Sequence, residues 1–174
     1  MLAATRLWLE RAVIGLQLCP FAAPVYRAGR VRFQVSEARK PEQLLEDLGV
    51  ELRWLQARDE SECETTLLIH PWVLNDFLDF NDFLDAAQRL LAAFGLEGGL
   101  QIASFHPRFQ FAATQPDEIG NYTNRAPYPT LHLLREDSIA RAVDGLEDPD
   151  EIYRANIRTL QTLGLAGWEK LWRP

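Results

Sequence analysis

The sequence predicts a single α/β domain: a mixed sheet of about four strands, mostly parallel with one free to run antiparallel, covered by helices and closed by C-terminal helices. Three observations point there. Apolar segments of strand length alternate with segments of helical periodicity. No linker or low-complexity stretch divides the 174 residues. A chain of that length buries roughly two thirds of its unfolded surface in one core, so residues 1–174 are read as one domain.

Each element follows from local pattern. Leu2, Leu9, Val13 and Leu16, widened by Ile14 and Leu18, predict a core-facing helix over 2–18 that Pro20 stops. "VRFQVS" (31–36) alternates apolar and polar residues, as a half-buried strand near a sheet edge does. Pro41 at a first turn, Leu44, Leu48, Leu52 and Leu55 behind it, acids early and Arg53 and Arg58 late predict the next helix. "TTLLIH" (65–70) is apolar without alternation, as expected of a strand covered on both faces.

Phe77, Phe80, Leu84, Ala87, Leu91 and Phe94 then form one helical stripe that Gly95 ends. The repeated "NDFLD" places Asp76, Asp79, Asp82 and Asp85 early in it, without the Gly-centred loop of a calcium site, so they read as complements to the helix dipole. "LQIASF" (100–105) and "TLHLL" (130–134) are the last two strands. The aperiodic stretch between them, with its functional loop at 107–128, is too long for idle chain in a compact domain. A short helix over 137–144 ends at Gly145, Asp148-Pro149-Asp150-Glu151 starts a second that runs to Gly164, and Trp168 and Trp172 lie one turn apart as a packing clamp.

Two apolar strands, "LLIHPW" and "SFHPRF", both end in His-Pro. Strands joined by helices are normally parallel, so His70 and His106 are expected at the same carboxyl edge of the sheet, where α/β proteins bind ligands. If the strands are neighbours, the two imidazoles can share a ligand. If the fourth strand returns antiparallel, His132 lies just inside that edge, and all three histidines of the protein converge. Arg108, Asn121, Asn124, Arg125 and Tyr128 join them by position, the arginines as forks for a carboxylate or phosphate. The three imidazoles serve either as acid/base groups or, with Cys19 as a fourth donor, as ligands of one transition metal such as zinc. Each histidine taken singly is better read as a satisfied structural residue, and it is the three together with the long polar loop that point to a site.

Composition narrows the partners. A net charge of −7 with no Lys/Arg cluster argues against nucleic acid, and no stretch approaches the roughly 20 apolar residues of a membrane span. Sixteen of the eighteen basic residues are Arg, a bias that genome composition also produces. Cys19 and Cys63 are too few for a disulfide scaffold, and the first twenty residues lack a signal-peptide pattern, so the cytoplasm is expected. Cys63, among Glu60, Glu62 and Glu64, is expected to be inert because carboxylates raise a thiol pKa.

"VIGLQLCPFA" (13–22), "SFHPRFQFA" (104–112) and "NYTNRAPYPTLHLLRE" (121–136) together resemble a bacterial family known as domain of unknown function 1415. The resemblance spans most of the chain and implies a stand-alone cytosolic bacterial protein. It brings no activity with it. Its stretches contain Cys19, His106, Arg108, Asn124, Arg125, Tyr128 and His132. Similar sequences carry Ser where Ala126 stands, which rules out a nucleophilic serine there in this chain.

The leading expectation is an enzyme or enzyme-like protein acting on a small anionic substrate at the His/Arg edge, by acid/base or metal-assisted, hydrolase-like chemistry. A non-catalytic binding protein for a small phosphate- or carboxylate-containing ligand is the alternative. A partner-binding protein that uses its five Trp and the terminal "WEKLW" is a third. Oligomeric state is not legible in the sequence.

Overall fold

The computed structural model describes residues 1–143 and 150–173. The expected stop at Gly145 and the Asp148-Pro149 helix start lie outside them. Helices α1 (Leu2–Trp8), α2 (Ala22–Arg27), α3 (Pro41–Gln56), α4 (Phe77–Ala93), α5 (Glu136–Val143) and α6 (Asp150–Lys170) surround strands β1 (Val31–Val35), β2 (Thr65–Ile69), β3 (Leu100–Phe105) and β4 (Thr130–Arg135). The sheet order is β1-β2-β4-β3. Strand β1 pairs in parallel with β2, whereas β4 pairs antiparallel with both β2 and β3. Three strands thus run one way and β4 the other, as the sequence allows, but the reversed strand is interior. It separates β2 from β3, so they are not neighbours and their axes lie about 10 Å apart.

Register fixes which residue faces where. Leu67 pairs with His132, which pairs with Ala103, so these residues share one face, and with them Thr65, Leu134, Gln101 and Phe105. Leu68, Leu131 and Leu133 occupy the opposite face, under α3 and α4. There Leu44, Leu48, Leu52, Leu55, Phe80 and Ala87 are each 0% exposed. The α3 and α4 stripes read from the sequence therefore form the main core. Asp76 caps α4, accepting from the Leu78 and Asp79 N–H groups.

The N-terminal helix departs from its predicted stripe. After Trp8 it winds into a wide turn over Leu9–Ile14, in which Gly15 N–H donates to Glu10 O (3.0 Å) and Leu18 N–H to Val13 O (2.9 Å). Bonds that span five residues shift the angular spacing. Thr5, Trp8, Leu9, Ala12, Val13 and Leu18 face inward, and Leu2 is 43% exposed. The short α2 is an element the periodicity did not signal, and the loop after β3 contains a 3₁₀ turn at Ile119–Asn124. Helix α6 breaks at Gly164 (φ 63°), the residue read as its end, and continues past it at an angle. Trp168 packs edge-on against both Tyr122 (5.1 Å) and Trp172 (5.4 Å), the clamp the spacing suggested.

Candidate functional site

The two His-Pro steps do deliver His70 and His106 to one edge. The His70 N–H donates to Pro129 O and the His106 N–H to Asn124 O, where β4 begins between them. Both rings lie against Phe80, with centroids at 5.5 and 5.2 Å, and both are 0% exposed. His70 Nδ1–H donates to Val73 O (3.1 Å). His106 Nδ1 accepts from the Arg108 N–H (3.0 Å), so Nε2–H is its donor, to Leu74 O (3.2 Å). The two histidines staple the turn that leads into α4, including Leu74 in the left-handed region at φ 58°. Burial pushes the His70 pKa down to about 4 and lowers that of His106, so both rings are neutral at pH 7. Among the described residues His70 Nε2 is buried with no hydrogen-bond partner.

The polar residues expected to hold an anion are bonded to the chain itself. Arg108 reaches Asn75 O (2.8 Å) and Asp76 (3.2 Å), with its side chain 64% exposed. Arg125 donates to Phe109 O and Pro116 O and lies over the Tyr122 ring. Asn121 is buried, accepting from Phe111 N–H and Thr114 Oγ1 and donating to Gln115 O. Asn124 donates to Ser104 O, and the Tyr128 carbonyl accepts from Thr130 Oγ1. The 107–128 loop is thus tied down by the side chains of Arg108, Asn121, Asn124 and Arg125, four of the residues expected to bind ligand. Ala126, the position at which similar sequences carry Ser, is buried in the cluster of Trp8, Leu67 and Trp168.

His132 corrects the expected convergence. It sits two residues inside the edge, as read, but on the opposite face from His70 and His106, because its pairing with Leu67 and Ala103 reverses its side. Cys19 also lies on that far side. The proposed four-ligand set therefore does not surround one point. Among the described residues no group of three or more His, Cys, Asp or Glu is arranged to hold a metal ion.

What that face carries instead is a cavity of about 350 Å³, within the range of small-molecule sites. Val31, Leu67, Ala103, Phe105, Leu134 and His132 of the sheet form one wall. Trp8, Leu9, Val13 and Leu18 with Cys19, Phe21 and Val25 form another, and Ile139, Val143 and Ile152 of α5 and α6 a third. Trp8 and Phe105 meet edge-on at 5.2 Å, and Trp8 Nε1–H is fixed on Arg125 O (2.8 Å). Gln101, exposed on the outer strand β3, stands at the mouth. Glu64, next to Thr65 on the lining, lies 2.9 Å from Arg30 Nη1, close enough to pair though not aligned as a hydrogen bond. Arg135 turns Nε and Nη2 onto the carbonyls of Leu55, Arg58 and Cys63, a local cap as expected.

Polar chemistry in this cavity is sparse and well defined. His132 Nε2 lies 2.7 Å from Thr65 Oγ1, and Thr65 Oγ1 donates its one hydrogen to Leu133 O (2.6 Å). Nε2 must therefore carry the proton, which leaves Nδ1 as a bare acceptor. The ring is partly accessible from the cavity, yet burial in its apolar surroundings pushes its pKa down to about 4. Burial likewise raises the Cys19 pKa, outweighing the Phe21 and Ala22 N–H groups that lower it, so Cys19 is a neutral thiol. Cys63 is raised chiefly by burial rather than by the neighbouring carboxylates.

Of the lining, the sequence singled out His132 and Cys19 as site residues but not the hollow they border. Trp8, Ala103, Phe105, Leu134 and Ile139 carry no chemistry that marks a site. The signal available was the odd-numbered face of "LQIASF", where Gln101, Ala103 and Phe105 put a small residue between two large ones. Among the described residues no helix is long and apolar enough to cross a membrane. No curated protein and no solved structure matches the chain. A family model described as "Protein of unknown function (DUF1415)" matches residues 1–170, in agreement with the stretches around Cys19, His106 and His132, and the chain belongs to that family.

Proposed function

We propose that the protein binds a small, largely apolar molecule in the cavity between the His132 face of the sheet and helices α1, α2 and α5. The observation that carries this reading is the fixed acceptor of His132 in a largely apolar hollow of about 350 Å³. Binding sites for small molecules are mostly apolar, with a few placed polar groups that orient the ligand. The carboxyl edge, by contrast, offers donors already committed to the chain: Arg108 to Asn75 and Asp76, Arg125 to Phe109 and Pro116. A small phosphate or carboxylate ligand would have to displace those bonds.

The test is chemical-shift mapping with naphthalene on one side and inorganic phosphate or acetate on the other. Naphthalene should perturb Ala103, Phe105, His132 and Leu134, and Ala103→Trp, which fills the cavity, should abolish the response. Perturbation by phosphate or acetate centred on Arg108 and Arg125, with no response to naphthalene, would reject the cavity in favour of the edge.

A further inference from the structure

Resting on that reading, we propose that the cavity selects an uncharged molecule ending in a hydrogen-bond donor, a phenol or an alcohol, which donates to His132 Nδ1. The reasoning is one of proton accounting. Thr65 has one hydroxyl hydrogen and gives it to Leu133 O at 2.6 Å, so its contact with His132 at 2.7 Å requires Nε2–H. The imidazole then has its proton on the side away from the ligand space. Among the described residues nothing donates to Nδ1, and the ring borders the cavity.

A bare acceptor discriminates sharply. A carboxylate would set lone pair against lone pair and lose its hydration to apolar walls, while the cation on the lining, Arg135, is already committed to the carbonyls of Leu55, Arg58 and Cys63. An ammonium could donate but would surrender its hydration to walls of Leu9, Val13, Leu67 and Phe105. A neutral hydroxyl satisfies the acceptor and leaves its apolar body to the walls. At roughly 30 Å³ for each water-sized group, the space holds about a dozen non-hydrogen atoms, the size of a bicyclic phenol. Cys19 stays protonated and adds no charge.

The experiment compares 2-naphthol, naphthalene and 2-naphthoate by titration at pH 7.5, with long-range ¹H–¹⁵N spectra reporting the His132 tautomer. The expected order is 2-naphthol above naphthalene by roughly fivefold to tenfold, with 2-naphthoate weaker than either by roughly a hundredfold. His132→Phe should reduce 2-naphthol to the affinity of naphthalene. Should that variant not fold, Thr65→Val releases the tautomer; the naphthol advantage should then shrink while Nδ1 begins to take up the proton. Equal binding of naphthalene and naphthol, tight binding of naphthoate, or a native spectrum with the proton on Nδ1 overturns the donor assignment and leaves the cavity reading intact. Failure of all three probes to bind overturns the cavity reading and this inference with it.

Discussion

One sheet carries two opposite histidine environments, and the helices that cover each face account for the difference. Helices α3 and α4 have 16 and 17 residues and lie along the whole of their face. They bury Leu44, Leu48, Leu52, Leu55 and Phe80 completely, and the imidazoles of His70 and His106 are closed in with them. The other face is covered in pieces, by α1 and the wide turn that continues it, by the short α2 and α5, and by α6, which kinks at Gly164, and these pieces meet around a gap. There an imidazole borders a hollow. The same side chain becomes a staple or an available acceptor according to how continuously the helices above it cover the sheet.

The comparison is tested most strongly by removing an aromatic ring from each face. Phe80→Ala empties the space between α4 and both stapling histidines and is expected to cost about 3–5 kcal/mol. Phe105 already borders the cavity and is only half-buried, so Phe105→Ala should cost less than half as much. Denaturant unfolding measures both. Equal losses would mean that the two faces are equally packed.

Acid is the second probe. The His70 and His132 pKa values are about 4 in the folded protein, against about 6.5 unfolded. Between those values the unfolded chain takes up protons that the native rings refuse, so the stability from the neutral rings is fully present above about pH 6.5 and is lost as pH falls towards 4. Each shift corresponds to at most about 3 kcal/mol. Water in the cavity would reduce the His132 share and not that of His70, which is 0% exposed. The slope of stability against pH from 6.5 to 4 should therefore flatten more in His70→Leu than in His132→Phe. The reverse order would place the better-hydrated histidine on the α3/α4 face.

What the sequence disclosed follows the same division. Periodicity identified α3, α4 and the four strands because long stripes and continuous apolar runs are strong patterns, and the His-Pro steps located His70 and His106 because chain direction follows from crossover connections. The face of His132 was not legible. It depends on β4 inserting between β2 and β3, and a one-residue change of register reverses the side of every residue in a strand. Nor was the commitment of Arg108, Asn121 and Arg125 to loop carbonyls, since a side chain that binds ligand and one that ties down a loop have the same composition. A cavity leaves no periodicity of its own, because it is defined by what the helices around it fail to cover.

Adding volume distinguishes the faces in the opposite sense. Ala87 is 0% exposed inside α4, and Ala87→Leu should force the α3/α4 layer apart at a cost of about 1–3 kcal/mol. Ala103 faces the cavity, and Ala103→Leu should stabilise the protein by about 0.5–1 kcal/mol while weakening naphthalene binding. Thermal unfolding of the two variants side by side reads the sign directly. Destabilisation by both would mean that the space beside Ala103 is already filled.

The smallest expected effect concerns the edge that first suggested a site. Arg108 and Asp76 form an ion pair at 3.2 Å with side chains 64% and 52% exposed, and water screens such pairs to between 0 and about 1 kcal/mol. Arg108→Ala should therefore change stability little and leave naphthalene and 2-naphthol binding at the native level. Asp76→Ala should cost more, because Asp76 also accepts from the Leu78 and Asp79 N–H groups at the start of α4. The difference between the two variants separates the helix cap from the ion pair. A loss of ligand affinity in Arg108→Ala would draw the binding function back to the carboxyl edge, because Arg108 is absent from the cavity wall and has no other route to the ligand.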